Sequence, residues 1–171
     1  MIIAIGGLTG SGKNTLGEGL AKELGYRLVC PTFKDLAAKE GIPLMEFQRR
    51  AEKDPDIDKK FDKVLREQAA SGDCVVTTWL GPWMVDADIK ILVYASPEIR
   101  AKRISGRDRM SEKEAVRHVK ARDESNRKRY KKLYEIDIFD QSVFDIAINN
   151  GKMSADKSAQ VALAVIKAWK R

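Results

Sequence analysis

"IGGLTGSGKNTLGEGLAKELG", residues 5–25, holds a glycine, four residues, a glycine and a lysine: Gly7-Leu8-Thr9-Gly10-Ser11-Gly12-Lys13. A loop with this spacing wraps phosphate in backbone N–H groups, because glycines allow the turn and the close approach. Lys13 then extends a point charge toward the β and γ phosphates. The flanks decide the fold. Residues 2–5 are a short apolar run, readable as a buried strand. Leu16, Leu20 and Leu24 recur at four-residue spacing and mark one helix face, with Gly25 as its stop. The loop therefore joins a strand to a helix N-terminus, where the peptide dipoles favour an anion.

Asn14 stands where such loops usually carry a hydroxyl that ligates Mg²⁺. Thr15 follows with a hydroxyl, but one helical step turns it about 100° away. Mg²⁺ keeps several waters in sites of this kind. Thr15 is thus the expected protein contact to the metal or to a phosphate, directly or through water.

Composition narrows the class. The chain has 171 residues, 43% hydrophobic and 33% charged, as expected of one soluble domain. No run of apolar residues is long enough to span a membrane. The opening strand leaves no room for a signal peptide, and the only cysteines, Cys30 and Cys74, fit a reducing cytoplasm. His118 is the only histidine, so a histidine-based triad or zinc site lacks a second member. It is read as helix surface. The net charge of +7 is uneven: residues 100–132 carry 14 Lys/Arg against 5 Asp/Glu. Such a segment attracts anions, either nucleotide phosphates or a nucleic-acid backbone.

Strands are expected at residues 2–5, 26–29, 74–77, 89–94 and 144–148. Helices are expected after the loop, at residues 34–40, from Pro43, after the Asp54-Pro55 cap, and from Ser96-Pro97 to about Ser105. Ser111 with Glu114 forms a capping box before a long basic helix, and residues 155–169 form the last helix. This alternation predicts an α/β fold, a five-stranded parallel sheet with helices on both faces. Ligands then bind at the carboxyl ends of the strands, where the phosphate loop already lies.

Taken together, the segments resemble the archaeal-type cytidylate kinases, within the nucleoside monophosphate kinase group. The likeness covers nearly the whole chain: "GGLTGSGKNTL" at the start, "GIPLMEFQRRAEKDPDIDKKFD" at 41–62, "WM" at 83–84, "IRAKRISGR" at 99–107 and "RDESNRKRYKKLYEIDIFDQSVFDIAIN" at 122–149. The first stretch is shared with many phosphate-loop proteins; the middle and last are more specific. The resemblance implies one domain over residues 1–171, a helical acceptor-binding region at 30–71 and a lid near 103–122. It implies that Gly7, Leu8, Thr9, Gly10, Ser11, Gly12, Lys13, Asn14 and Thr15 surround the ATP phosphates. It places Arg103, Arg107 and Arg109 around the lid, the first two near ATP, and makes Arg122 and Arg129 the clamp on the transferring group. Seven residues apart, Arg122 and Arg129 share one helix face. Guanidinium groups suit the charge that phosphoryl transfer spreads over equatorial oxygens, and no protein nucleophile is needed. Arg127, Lys128, Lys131 and Lys132 are read as a solvated face.

Three departures fall on the acceptor side. The family usually has Glu-Gly-Arg after two valines, the arginine holding the monophosphate, whereas this chain has Thr77-Thr78-Trp79. Trp79 is a candidate for base stacking or for the pocket wall. Cys30-Pro31-Thr32-Phe33-Lys34 is shorter than the family pattern there, leaving Lys34 as a weaker phosphate contact and Thr32 as a hydroxyl for base or sugar. Asn126 stands where related bacterial enzymes tend to have an acidic residue that reads the base, and it both donates and accepts. The expectation is ATP- and Mg²⁺-dependent transfer to a nucleoside monophosphate, CMP or dCMP, by a cytoplasmic monomer with small-molecule partners and neither membrane nor nucleic acid. The rivals are a kinase for AMP, dephospho-coenzyme A or shikimate, and a phosphate-loop ATPase acting on RNA or a protein.

Overall fold

The computed structural model describes residues 1–169. Five strands, β1 (Ile2–Gly6), β2 (Arg27–Val29), β3 (Cys74–Val76), β4 (Ile89–Tyr94) and β5 (Ile146–Asn149), form one sheet in the order β2-β3-β1-β4-β5. Every neighbouring pair is parallel, as the strand–helix alternation predicts. The strands are nearly continuous in apolar residues because both faces are covered. Alternate side chains go to opposite layers. Ile3, Ile5, Val75, Ile91 and Val93 pack with Leu16 and Leu20 of α1 (Lys13–Leu24) and Ala162 and Ile166 of α8 (Ala155–Trp169). On the other face Cys74 and Val76 pack with Leu65 and Ala69 of α4 (Pro55–Ala69).

Between β2 and α4 lie α2 (Phe33–Lys39) and α3 (Leu44–Lys53). The Asp54 carboxylate caps α4 by accepting from the Asp56 N–H at 3.0 Å, as the Asp-Pro pair predicts. After β3 comes a short helix, α5 (Gly81–Met84), too brief to leave a periodic signal in sequence. The basic segment folds as two packed helices, α6 (Pro97–Asp108) and α7 (Glu112–Tyr134), joined through Arg109 in the left-handed region at φ 53°. Ala101, Ile104, Ala115 and Val119 hold them together, and the Ser111–Glu114 capping box starts α7.

Some boundaries differ from expectation. The sixth helix runs on to Asp108, and β5 begins at Ile146, not at 144. Phe144 instead turns its ring edge-on to Trp83, 5.5 Å between centroids, and fills the space beside Gly6. Gly17, inside α1, has a packing reason. A Cβ there would collide with the Thr77 methyl, so the glycine lets α1 press against the end of β3. That close approach brings Lys13 and Thr77 to one cleft.

Candidate active site

The phosphate loop connects β1 to α1. Gly10 and Gly12 sit at φ 75° and 92°, conformations that side chains rarely adopt. The loop is braced from beneath by α6 and α7. Thr9 donates its N–H to Asp123 at 3.1 Å, and its carbonyl accepts from Arg100 at 3.0 Å. Arg100 and Asp123 pair at 2.6 Å, 7% and 6% exposed. The Ser11 carbonyl accepts from Arg103 at 3.1 Å and from the Asn150 amide at 2.8 Å, and Arg103 also reaches the Asn150 carbonyl at 2.9 Å. With these carbonyls engaged by cations and an amide, the remaining loop N–H groups and Lys13 set its potential toward an anion.

This brace carries a prediction. Asp123→Ala leaves Arg100 buried without its partner, which typically costs about 3–5 kcal/mol. In a domain of this size that corresponds to a fall of roughly 10 °C in Tm. Thermal unfolding followed by circular dichroism checks it; an unchanged Tm would show that the pair is dispensable to the loop.

Two clefts open on either side of the loop. The larger, about 530 Å³, is lined among others by Lys13, Asn14, Lys34, Gln48, Thr77, Trp79, Arg122, Asn126 and Arg129. The smaller, about 380 Å³, is lined by Gly12, Thr15, Arg103, Asn150 and Met153 among others. Gly10, Lys13, Asn14 and Arg107 belong to both walls, so the clefts meet at the N-terminus of α1. Burial, then Arg122 nearby, pulls the Lys13 ammonium down to about 8. Its Nζ lies 5.3 Å from the centre of the Trp79 ring.

The residues singled out from sequence divide among these places. Gly7, Leu8 and Ser11 line neither cleft. Ser11 is buried, Leu8 packs toward Leu80 and Tyr130, and Gly7 abuts the Val93 carbonyl. Thr9 and Gly10 reach the larger cleft, Thr15 only the smaller. Arg103 lines the smaller cleft, and Arg109, Thr32, Lys34, Trp79, Asn126, Arg122 and Arg129 line the larger. Thr32 is already committed as the cap of α2, its hydroxyl accepting from the Asp35 N–H at 3.1 Å and donating to the Asp35 carboxylate at 2.6 Å. Lys34 is exposed, 3.9 Å from Asp108.

Arg129 and Arg122 differ in surroundings. Arg129 is 7% exposed, paired with Asp58 at 3.1 Å, and donates to Asn126 Oδ1 and to the Tyr130 hydroxyl, each at 2.9 Å. Its guanidinium lies 4.8 Å from the centre of the Phe33 ring. Burial pushes the Asp58 carboxyl up to about 6 against the pull of Arg129. Arg122 is half-buried, with its Nε unpartnered among the described residues. Asn126 Oδ1 also accepts from Gln48 at 3.4 Å.

Sequence reasoning missed Gln48, Asp58, Asp62, Arg100, Asp123 and Asn150, whose partners lie far along the chain; Tyr134, for example, donates to Asp62 at 2.6 Å. Thr77 and Thr78 stand out in sequence only as departures, yet both hydroxyls are buried on the cleft wall and have no partner among the described residues. One expectation is corrected. His118 is not helix surface: it lies on the cleft-facing side of α7 and is half-buried. The Ser111 cap and four-residue spacing to Arg122 carried that phase.

The sequence profile of the cytidylate kinase-like family matches residues 2–152. The chain belongs to the cytidylate kinase-like family. It is 45% identical over 170 residues to the cytidylate kinase of Pyrobaculum islandicum, covering 97% of this chain and 92% of that protein. It is 41% identical over 172 residues to the cytidylate kinase of Methanothrix thermoacetophila, covering 99% and 100%. A solved structure from Eubacterium ventriosum shares the fold with a TM-score of 0.73 at 22% identity, covering 98% of this chain and 99% of that one.

Membership in the cytidylate kinase-like family raises the question of Mg²⁺. The residues present fit the ion: Asn14 Oδ1, in the wall common to both clefts, is buried and has no partner among the described residues. An amide oxygen is a hard ligand of the kind Mg²⁺ accepts. Thr15, the hydroxyl expected near the metal, is exposed on the smaller cleft alone. Asn14→Ala is therefore expected to raise the Mg²⁺ concentration needed for half-maximal activity about tenfold or more, and Thr15→Ala to weaken nucleotide binding measured without metal. Titrating Mg²⁺ against activity, and ADP in chelator by calorimetry, separates the two. A larger metal shift for Thr15→Ala would return the ligand role to Thr15. No helix among the described residues is long and apolar enough to cross a membrane.

Proposed function

We propose that this protein transfers the γ-phosphoryl group of ATP to CMP or dCMP, giving ADP and the corresponding diphosphate. The observation that carries the reading is the meeting of two clefts at Lys13, with Arg107 and Arg122 around the junction. ATP occupies the smaller cleft and passes its phosphates over the loop. The acceptor occupies the larger, whose walls are residues 30–71 on one side and residues 103–122, the proposed lid, on the other. A phosphate oxygen of the acceptor attacks the γ-phosphorus, and the bond to the β-phosphate bridging oxygen breaks, releasing ADP. Lys13 and Arg122 stabilise the charge that this spreads over the equatorial oxygens. Mg²⁺, when bound, neutralises phosphate charge and fixes their geometry. Closure of the lid excludes water and so suppresses hydrolysis.

The cytidylate kinase relatives support the cytosine nucleotide. In the acceptor cleft, Gln48, Asn126, Thr77 and Thr78 offer neutral donors and acceptors for a base and sugar. Six basic side chains of this segment, Arg100, Arg103, Arg107, Arg109, Arg122 and Arg129, brace the loop or line the clefts, where a small phosphorylated substrate would meet them.

The test is kcat/KM for CMP, dCMP, UMP, AMP and GMP at one ATP concentration, repeated with Trp79→Arg. CMP and dCMP are expected to lead. A charge-assisted hydrogen bond is worth about 1.5–3 kcal/mol, so restoring an arginine is expected to improve KM roughly tenfold or more. AMP leading by tenfold would move the enzyme to another acceptor. A fall on Trp79→Arg would make Trp79 a specificity wall and not a lost phosphate contact.

A further inference from the structure

The cleft-facing stripe of α7 begins one turn before Arg122, at His118, a residue that no step above uses. His118, Arg122, Asn126, Arg129 and Tyr130 all line the larger cleft, at spacings of one helix face. His118 Nε2 is buried and has no partner among the described residues. A polar ring nitrogen left in this state inside a cleft costs free energy unless something binds it. The groups that face it are cationic more than anionic: Arg122 on its own helix, and Arg107 and Asp108 on α6. Lys34 of α2 stands 3.9 Å from Asp108. Trp79, where the resemblance leads one to expect an arginine, lines the same cleft.

We propose that His118 contacts the phosphate of the acceptor, donating from Nε2 as an imidazolium that forms when that phosphate arrives. The assignment rests on the acceptor reading above. It gives this chain a phosphate contact on the lid side of the cleft, in place of the one absent at Trp79. Burial, followed by the Arg122 charge, holds the imidazole below its ordinary value in the empty protein, with Asp108 opposing. His118 is then neutral near neutral pH. A phosphate dianion beside it reverses the sign of the local field and raises the bound value. Between the two values, binding takes up a proton, and affinity falls as pH rises. The Asp108 carboxylate, held low by Arg107, stays ionised and adds no proton in this range.

Calorimetry with CMP in two buffers of different ionisation enthalpy measures the proton directly. Wild type is expected to take up roughly 0.5 proton per CMP near pH 7 more than His118→Gln, which keeps only what the ligand and Lys13 contribute. The glutamine variant is expected to bind CMP about fivefold more weakly near pH 6.5, with the two proteins converging by about pH 8, where both side chains are uncharged. Lys13, titrating at about 8, acts alike in both proteins. Cytidine, which has no phosphate, is expected to show no His118-dependent proton, and ADP alone none either. His118→Asn guards against a folding defect, since either variant that unfolds normally and still lacks the proton supports the contact. Equal uptake by wild type and both variants overturns it, as does His118-dependent uptake with ADP alone. If CMP does not bind wild type at all, the acceptor reading falls and the contact with it. If CMP binds with no His118-dependent proton, only the contact falls.

Discussion

Lys13→Ala is expected to reduce kcat by roughly a hundredfold to a thousandfold, the usual loss when one transition-state contact is removed from a dry site. The position gives the reason. Lys13 lies in the wall shared by both clefts, where the proposed reaction brings donor and acceptor phosphates together. The same burial that makes its charge effective makes that charge costly to the empty fold, pulling the ammonium from 10.5 down to about 8. The folded protein holds this proton less tightly than the unfolded chain does. Stability therefore rises with pH between about 8 and 10.5, and charged Lys13 opposes folding below that window. Removing it is expected to leave the Tm of the ligand-free protein unchanged or higher. ATP should also protect the variant less against heat, because ligand stabilisation follows affinity. Purified Lys13→Ala protein with wild-type turnover would remove the loop from the mechanism.

Arg122→Ala is the second large effect: a loss of about a hundredfold or more in kcat, with the dissociation constant for ATP nearly unchanged. Arg122 faces the cleft with its Nε unpartnered and no acidic side chain in a salt bridge with it among the described residues. On the proposed reading this cation meets the transferring phosphoryl group. Its removal is expected to leave Tm within a few degrees. Arg129→Ala is expected to behave differently. It would strand Asp58, 2% exposed, and release Asn126 and the Tyr130 hydroxyl. The expected cost is up to about 3–5 kcal/mol of stability, reduced by protonation of Asp58, whose carboxyl already titrates at about 6. Turnover at saturating ATP and CMP, together with Tm for both variants, checks the contrast. Two variants matching wild type in turnover would assign the stripe a structural role alone.

The equal treatment of Arg122 and Arg129 shows where sequence reading stops. Their seven-residue spacing puts them on one helix face, and both do line the larger cleft. The spacing says nothing of Asp58, which lies on α4 and takes one of the two arginines as its partner. His118 shows a second limit. As the only histidine in the chain it has no second member for a triad or zinc site, yet four-residue spacing to Arg122 places it on the same face. What that spacing leaves out is that α6 closes over it.

The sequence alone determined the phosphate loop, the parallel five-stranded sheet, the caps at Asp54, Ser96 and Ser111, and the family. Each of these is written in neighbouring residues: glycines at fixed offsets, apolar runs, and oxygen side chains just before helices. Only the tertiary structure decided how the loop is held and which polar groups remain free. The Arg100–Asp123 pair beneath Thr9, the Asn150 and Arg103 contacts to Ser11, and the space that Gly17 leaves for Thr77 join residues far apart in the chain. A side chain's use is set by the partner that satisfies it, and for buried groups that partner is chosen by packing between elements, not by local sequence.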